Sequence, residues 1–143
     1  TDRKKDIIVN SGGDNVSPQR VEGALVFEPE INQAMVYGDK RPHLVAVLVP
    51  DAEFVRSWSG VNDRDANPAT LADSDAFHEA LRAAIDRANA RLSQIEQVRR
   101  FIIAEEAFST ENGLMTPSLK IRRHAIKEIY GARLEALYGR TQG

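Results

Sequence analysis

Residues 43–49 read HLVAVLV and predict a strand that is buried on both faces. The side chains of a strand alternate between the two faces of a sheet, so a strand with one solvated face carries apolar residues only at every second position. Here Leu44 to Val49 are six apolar residues in succession. We therefore expect a central strand that helices cover.

Two further strands are predicted around this one. Ile31–Tyr37 is the first, and residues 38–42 (GDKRP) separate it from the central strand with residue types that favour loops. The two segments therefore predict an antiparallel pair. Gln97–Phe108 contains the third strand, centred on Phe101–Ile103.

Four helices are predicted, each after a residue whose side chain can cap a helix N-terminus. A proline at the first position strengthens the start of the first helix, and an apolar stripe at helical spacing marks the longest one. With each cap in parentheses, the predicted helices are Pro18–Phe27 (Ser17), a short helix ending at Trp58 (Asp51), Asp75–Leu92 (Ser74) and Leu119–Leu137 (Ser118). Val61–Ala72, which contains Asn, Asp and Pro, is predicted to be a surface loop.

The start of the chain predicts a short strand followed by a tight turn. Residues 6–9 read DIIV, and residues 11–15 read SGGDN, in which Gly, Asn and Asp accept positive φ. A length of 143 residues suits one domain. We expect an α+β fold, with a small mixed or antiparallel sheet, helices packed against it, and entry through a β-hairpin.

Composition excludes several classes of function. A net charge of -2 argues against a nucleic-acid module, because phosphate binding calls for a basic excess. The absence of cysteine excludes disulfides, thiolate nucleophiles and thiolate metal sites. No two of the three histidines are four residues apart, so no histidine metal site is expected. No segment is long and apolar enough for a membrane span or an initial signal peptide, and we expect a cytoplasmic location.

Three segments could carry chemistry, and each also has a plain structural interpretation. Residues 2–6 (DRKKD) are ordinarily a solvated charged end. Residues 11–15 are ordinarily a hairpin turn, although paired glycines also let backbone approach a ligand closely. Lys120, near the predicted start of the last helix, is either an ordinary exposed lysine or, with the helix N-terminus, part of an anion site. Spacing alone leaves these alternatives open.

Two of these segments carry a resemblance to a known family. Residues 2–18 (DRKKDIIVNSGGDNVSP) resemble the segment that links the two domains of AMP-forming acyl-CoA synthetases and enters the C-terminal one. Residues 114–123 (LMTPSLKIRR) resemble the segment that carries the adenylation lysine. That superfamily includes the luciferases and the adenylation domains of peptide synthetases. The resemblance covers essentially all of residues 1–143 and is closest to the long-chain fatty acid–CoA ligase branch.

The resemblance implies an activity in two half-reactions. A fatty acid and MgATP give an acyl-adenylate and pyrophosphate, and coenzyme A then takes the acyl group and releases AMP. The small C-terminal domain alternates between two poses on a large N-terminal domain. One pose delivers the lysine, and the other delivers the loop that corresponds to Ser11–Asp14.

The resemblance also implies roles for individual residues. Lys120 matches the lysine that bridges the carboxylate and α-phosphate oxygens, and Arg3 matches an arginine that contacts the nucleotide. Lys5 matches the hinge position, which places the hinge near residues 1–6. Gly12 matches the glycine whose backbone lines the pantetheine passage, and Gly13 adjoins it. Two departures from the family pattern are modest: Asp14 stands where relatives often have Glu, Lys or Arg, and the lysine segment lacks the Gly-Lys pair of many shorter-chain relatives.

The same resemblance implies that essential parts lie outside this chain. In the family, the N-terminal adenylation domain of the same polypeptide holds ATP, Mg and the fatty acid, so we expect residues 1–143 to be the lysine-bearing domain of a longer protein and inactive alone. Peripheral membrane association of the parent is a further expectation. Two alternatives remain: a domain of a fatty acyl-AMP ligase, or a free-standing binding domain without catalysis.

Overall fold

The structure is a computed structural model that describes residues 7–62 and 74–140. The predicted hinge near residues 1–6, with Arg3 and Lys5, lies outside the described residues. Most of the predicted loop Val61–Ala72 also lies outside them, and its first two residues instead end a helix. None of the described helices combines the length and the apolar character that crossing a bilayer requires.

The described residues form five strands and four α-helices, in the order ββαββααβα. The strands are β1 (Ile8–Val9), β2 (Asn15–Val16), β3 (Ile31–Tyr37), β4 (Leu44–Pro50) and β5 (Val98–Ile103). The helices are α1 (Pro18–Val26), α2 (Ala52–Asn62), α3 (Asp75–Asn89) and α4 (Arg123–Arg140), with a 3-10 turn at Gln94–Glu96. This architecture confirms the predicted α+β class and the entry through a β-hairpin, which β1 and β2 form.

The main sheet has the strand order β3-β4-β5, so β4 is central as predicted. β3 pairs with β4 in the antiparallel sense, with Met35 opposite Val47. β4 pairs with β5 in the parallel sense, with Val47 opposite Ile102. The sheet is therefore mixed, and β4 makes ladder hydrogen bonds on both of its edges.

The apolar run of β4 serves two separate cores. Leu44, Ala46 and Leu48 pack in one cluster with α1, α2 and α3, and the alternate residues Val45, Val47 and Val49 pack in a second cluster with α4. All six side chains are buried. The period of two in the strand thus distributes one continuous apolar run over both faces of the sheet. Among the described helices, α4, which follows the candidate lysine segment, is the one that packs on the second face.

Side-chain caps fix the start of three helices where the sequence predicts them. Ser17 Oγ accepts the Arg20 N–H at 3.4 Å, and Ser74 Oγ accepts the Phe77 N–H at 3.2 Å. Asp51 Oδ2 accepts the Phe54 N–H at 3.1 Å. These bonds satisfy amides that a helix N-terminus leaves without intrahelical partners.

The end of α3 differs from the sequence prediction. The helix stops at Asn89 rather than at Leu92, because the Asn89 side chain pairs with the first residue of β5. Asn89 Oδ1 accepts the Val98 N–H at 2.9 Å, and Nδ2 donates to the Val98 carbonyl at 3.0 Å. Leu92 is nevertheless buried, so the apolar stripe was correct while the helix boundary was not.

The start of the terminal helix was predicted wrongly. α4 begins at Arg123, not at Leu119, and Ser118 does not cap it. The segment before it bends back on itself, since Leu119 adopts a φ of 65° and Met115 bridges to Ile121 in the antiparallel sense. Lys120 therefore lies on a hairpin and not at a helix N-terminus, and the anion site built on a helix end at this position is excluded.

Candidate functional site

The two glycines predicted from sequence lie in the turn between β1 and β2. The Asn10 N–H donates to the Asp14 carbonyl at 3.0 Å, and the Gly13 N–H donates to the Asn10 carbonyl at 2.9 Å. Asn10 Oδ1 also accepts the N–H groups of Gly12 and Asp14, each at 2.9 Å. We refer to residues 10–14 as the glycine turn.

The glycine turn rests on the turn that joins β3 to β4. The Ser11 N–H donates to the Arg41 carbonyl at 3.0 Å, and the Lys40 N–H donates to the Val9 carbonyl at 2.7 Å. Asp39 Oδ1 accepts the Val9 N–H at 3.1 Å. Hydrogen bonds thus join the glycine turn and the β3–β4 turn through backbone groups that would otherwise face water.

Gly12 and Gly13 differ in what the fold demands of them. Gly13 has a φ of 87°, which L-residues adopt only with strain. Gly12 does not have a positive φ of this kind. A Cβ built on it would lie 3.4 Å from Asn10 Oδ1 and 3.7 Å from Asp14 Oδ2, which are ordinary van der Waals distances. The turn itself therefore requires glycine at position 13 but not at position 12.

The lysine segment, residues 116–120, is a hairpin with a three-residue loop, which we call the lysine hairpin. The Leu119 N–H donates to the Thr116 carbonyl at 2.8 Å, with Pro117 at the second turn position, where its fixed φ is favourable. The Thr116 N–H donates to the Lys120 carbonyl at 2.8 Å, and Thr116 Oγ1 accepts the Lys120 N–H at 3.1 Å. A three-residue loop of this kind ends in a residue with positive φ, here Leu119.

The base of the lysine hairpin is anchored in the second core. Leu114 is buried, and its carbonyl accepts the Arg122 N–H at 2.8 Å. The chain leading into this segment is held by Gln33 of β3, whose amide donates to the Phe108 carbonyl at 3.1 Å and accepts the Phe108 N–H at 2.8 Å. The base is therefore fixed by packing and hydrogen bonds, while the tip projects from the domain.

Lys120 presents an accessible cation at this tip. Its side chain is exposed, and in the part of the chain that the structure describes no carboxylate lies within ion-pair distance of its ammonium. The neighbouring Leu119 is 70% exposed, although it is apolar. An ammonium held on a short, ordered hairpin without an internal partner is available to an anion from outside the domain.

A buried ion pair, which sequence reasoning missed, lies directly after the lysine hairpin. Arg123, the first residue of α4, donates to Glu22 of α1 through both of its terminal nitrogens. Glu22 Oε2 also accepts the Val36 N–H at 2.7 Å. Glu22 follows the apolar residue Val21 in the sequence. No local pattern around it indicates an ion pair with a residue as distant as Arg123.

A second acidic group is buried at the other end of α1. The Glu28 carboxylate accepts hydrogen bonds from Arg87 Nε at 2.6 Å and from Arg91 Nη1 at 2.8 Å. Burial alone would raise the pKa of Glu28, but the hydrogen bonds from the two guanidinium groups outweigh it and lower that pKa. This cluster ties the chain just after α1 to Arg87 of α3 and to Arg91 just beyond that helix.

The turn between β3 and β4 is anchored to α4 by charged groups. The Arg41 guanidinium and the Tyr37 hydroxyl both contact the Glu135 carboxylate. Burial, together with that carboxylate, raises the pKa of Tyr37 to about 12. Tyr138 Oη donates to the His43 carbonyl at 2.7 Å. The support beneath the glycine turn is thus itself fixed to the terminal helix.

The structure places three of the five predicted site residues and does not bring them into one cluster. Gly12 and Gly13 lie in the glycine turn, Lys120 lies on the lysine hairpin, and within residues 7–62 and 74–140 no hydrogen bond or ion pair joins the two. Arg3 and Lys5 lie outside the described residues. The same described ranges contain no group of three or more acidic or histidine side chains that could hold a metal ion.

Comparisons with known proteins identify the family of the chain. Residues 5–142 match the family described as AMP-binding enzyme C-terminal domain. The chain is 35% identical to the long-chain-fatty-acid–CoA ligase FadD15 of Mycobacterium tuberculosis, over 98% of this chain and 24% of that protein. It is 31% identical to the human long-chain-fatty-acid–CoA ligase 6, over 96% of this chain and 20% of that protein. The chain thus spans about a quarter or less of the length of these relatives.

Solved structures with a similar fold include adenylation domains of carboxylate reductases. That of the Mycobacterium chelonae enzyme has a TM-score of 0.77 and 29% identity, over 93% of this chain and 19% of that one. That of the Segniliparus rugosus enzyme, solved with AMP and a co-purified carboxylic acid, has a TM-score of 0.76 and 31% identity, over 94% of this chain and 20% of that one.

Proposed function

Because the chain belongs to the family of AMP-binding enzyme C-terminal domains, we propose that it is the mobile, lysine-bearing domain of a long-chain fatty-acid–CoA ligase. The names of the relatives support the substrate class, since FadD15 and the human ligase 6 are both long-chain-fatty-acid–CoA ligases. The small share of those relatives that the chain covers supports a large N-terminal adenylation domain elsewhere in the same polypeptide. These relatives favour this function over a free-standing binding domain and over a fatty acyl-AMP ligase.

The proposed reaction has two displacement steps. A carboxylate oxygen of the fatty acid attacks the α-phosphorus of ATP, the acyl-adenylate forms, and pyrophosphate leaves. The sulfur of coenzyme A then attacks the acyl carbonyl carbon, the thioester forms, and AMP leaves with the bonding electrons. The thiol proton passes to solvent or to a base of the adenylation domain.

Lys120 is the proposed catalytic residue of the first step. Two anions, the carboxylate and the α-phosphate, must approach each other there, and a cation placed between them lowers the repulsion. A preorganised charge-stabilising group of this type is typically worth about 2.7–4 kcal/mol. The observation that carries the proposal is the position of Lys120: it is exposed, free of an internal carboxylate among the described residues, and held on an anchored hairpin.

Gly12 is proposed to line the passage for the pantetheine arm of coenzyme A, with Gly13 beside it. The fold explains glycine at position 13 by its φ of 87°, but it leaves room for a Cβ at position 12. Any requirement for bare backbone at Gly12 must therefore arise outside the domain. This is the expectation for a passage through which a thin chain must move.

Lys5 is proposed as the hinge, and Arg3 as a nucleotide contact. A hinge allows one cation to be delivered for adenylation and withdrawn for thioester formation, which is a gating use of domain motion. ATP would be held mainly by the adenylation domain, where its Mg²⁺ would offset phosphate charge. We propose a cytoplasmic location, with peripheral membrane association of the parent.

The proposed function is tested by pyrophosphate release with ATP, Mg²⁺ and a series of fatty acids. The full-length protein should release pyrophosphate with long-chain acids and form the thioester when coenzyme A is added. The chain of residues 1–143 alone should be inactive, because none of its described groups forms a nucleotide-binding loop. Clear turnover by the isolated chain, or a full-length protein that stops at the adenylate with coenzyme A present, would contradict the proposal.

A further inference from the structure

The glycine turn has little packing to hold it in one conformation. Residues 11–15 are all exposed, and each of the two flanking strands is only two residues long. An exposed turn without apolar contacts depends on hydrogen bonds for its order, and local openings of such segments cost little free energy. The shape of this turn therefore rests on the few side chains that bind its backbone.

Asn10 acts on the turn from the inside. Its Oδ1 accepts two N–H groups at once, from Gly12 and from Asp14, both at 2.9 Å. An asparagine side chain that binds backbone two residues ahead imposes a turn in place of other conformations. Since both partners are donors, an aspartate at position 10 would accept the same two bonds, whereas an alanine would accept neither.

Asp39 acts on the turn from the outside. Its Oδ1 accepts the Val9 N–H at 3.1 Å, directly before the glycine turn. The adjoining backbone bonds, from Ser11 N–H to Arg41 and from Lys40 N–H to Val9, extend the same contact. Since the Arg41 side chain contacts Glu135 of α4, this support is fixed to the terminal helix.

We propose that Asn10 and Asp39 are positioning residues for the thioester-forming half-reaction. They act through Gly12 by keeping the glycine turn in the one conformation that leaves the pantetheine passage open. The inference rests on the proposed role of Gly12. When only a fraction of the protein has the competent turn, the apparent affinity for coenzyme A falls by that fraction, and the rate at saturating coenzyme A falls less.

The test uses the full-length protein and separates the half-reactions. Acyl-adenylate formation is followed as pyrophosphate release in a single turnover without coenzyme A, and thioester formation is followed across coenzyme A concentrations. Asn10→Ala should raise the KM for coenzyme A by about tenfold, the scale set by losing hydrogen bonds of ordinary strength, and should leave adenylation unchanged. Asn10→Asp should restore the wild-type KM. Asp39→Ala should also raise the KM for coenzyme A, and Asp39→Asn should restore the wild-type KM.

Asn32→Ala is the matched control, because Asn32 is exposed on β3 and away from the turn. An unchanged KM for coenzyme A in Asn10→Ala, or an equal defect in Asn10→Ala and Asn10→Asp, would overturn the inference. Gly12→Leu identifies which premise has failed. If Gly12→Leu impairs only thioester formation while Asn10→Ala does not, the positioning role alone is wrong; if Gly12→Leu affects both steps equally, the role of the turn is wrong as well.

Discussion

Arg123 and Glu22 form an ion pair that joins the start of the terminal helix to α1. Arg123 Nη1 lies 2.5 Å from Glu22 Oε2, and Nη2 lies 3.1 Å from Oε1. Glu22 is only 8% exposed and also accepts the Val36 N–H, so one carboxylate connects α1, β3 and α4. The pair fixes the point at which the chain leaves the lysine hairpin.

Removing one partner of this pair should destabilise the domain strongly. Arg123→Ala removes the guanidinium that pairs with the buried Glu22 carboxylate, and such losses cost about 3 kcal/mol or more in unfolding free energy. Arg122→Ala is the control, because Arg122 is exposed and its guanidinium donates to the Gly113 carbonyl at 2.7 Å, a bond worth about 1 kcal/mol or less. Urea unfolding of the two variants measures the difference. Equal effects would show that the pair does not fix the helix start.

Acid should weaken the domain partly through Glu28. The pKa of Glu28 is lowered in the folded state from the ordinary value of 4.5, because the hydrogen bonds from Arg87 and Arg91 outweigh the effect of burial. A group with a lowered pKa contributes stability that is present above pH 4.5 and is lost as the pH falls through the folded pKa. Glu28→Gln should therefore be less stable than the wild type at pH 7, and that difference should shrink below pH 4.5.

Thermal unfolding at pH 7 and at pH 3.5 measures this change. The exposed Glu79→Gln serves as the control and should differ little from the wild type at either pH. A Glu28→Gln deficit that is as large in acid as at neutral pH would contradict the assignment.

The sequence was informative where a local pattern matches a local cause. Six successive apolar residues predicted the two-sided burial of β4, and Ser17 and Ser74 marked two helix starts because a capping bond spans only three residues. The start of α4 was missed for the opposite reason. Ser118 as a cap favours a helix start at Leu119, whereas the hydroxyl of Thr116 and a positive φ at Leu119 produce a hairpin.

The sequence also predicted some features of the candidate site and missed others. The resemblance selected Gly12 and Lys120 from their motifs, but neither motif shows that Lys120 sits on a hairpin with an anchored base. The Glu22–Arg123 pair joins residues that are 101 positions apart, and no single-sequence pattern reports a pairing at that separation. Because Arg123 belongs to this buried pair, its replacement by alanine would disturb the fold as well as the surface near Lys120.

Leu119 should be a site of backbone strain at the tip of the lysine hairpin. Its φ of 65° costs an L-residue roughly 1–2 kcal/mol, and its 70% exposed side chain recovers little of this by packing. Leu119→Gly should raise the unfolding free energy by about 0.5–1 kcal/mol after the entropy cost of glycine in the unfolded chain. Leu119→Val should lower it, since a β-branched residue fits positive φ poorly. Urea unfolding measures the three free energies, which should be highest with glycine, intermediate with leucine and lowest with valine at position 119. The reverse order would show that the hairpin has another backbone conformation.

The two glycines should respond differently to substitution. Gly13→Ala should destabilise the chain by roughly 1–2 kcal/mol because of its positive φ, whereas Gly12→Ala should be close to neutral in urea unfolding. In the full-length protein, Gly12→Leu should spare adenylation and impair thioester formation, because the side chain would obstruct the proposed pantetheine passage. Single-turnover rates of the two half-reactions decide this. Marked destabilisation by Gly12→Ala would mean that the fold, and not a passage, requires glycine there.

The most direct measurement is the rate of acyl-adenylate formation by full-length Lys120→Ala, followed as pyrophosphate release in a single turnover. We predict a rate lower by about 10²–10³-fold, the scale for losing one preorganised charge-stabilising group, with near-normal thioester formation from presynthesised acyl-adenylate. Lys127→Ala, which removes an exposed lysine from α4, should leave both rates unchanged. Unimpaired adenylation in Lys120→Ala, or equal losses in Lys120→Ala and Lys127→Ala, would contradict the proposed role of Lys120.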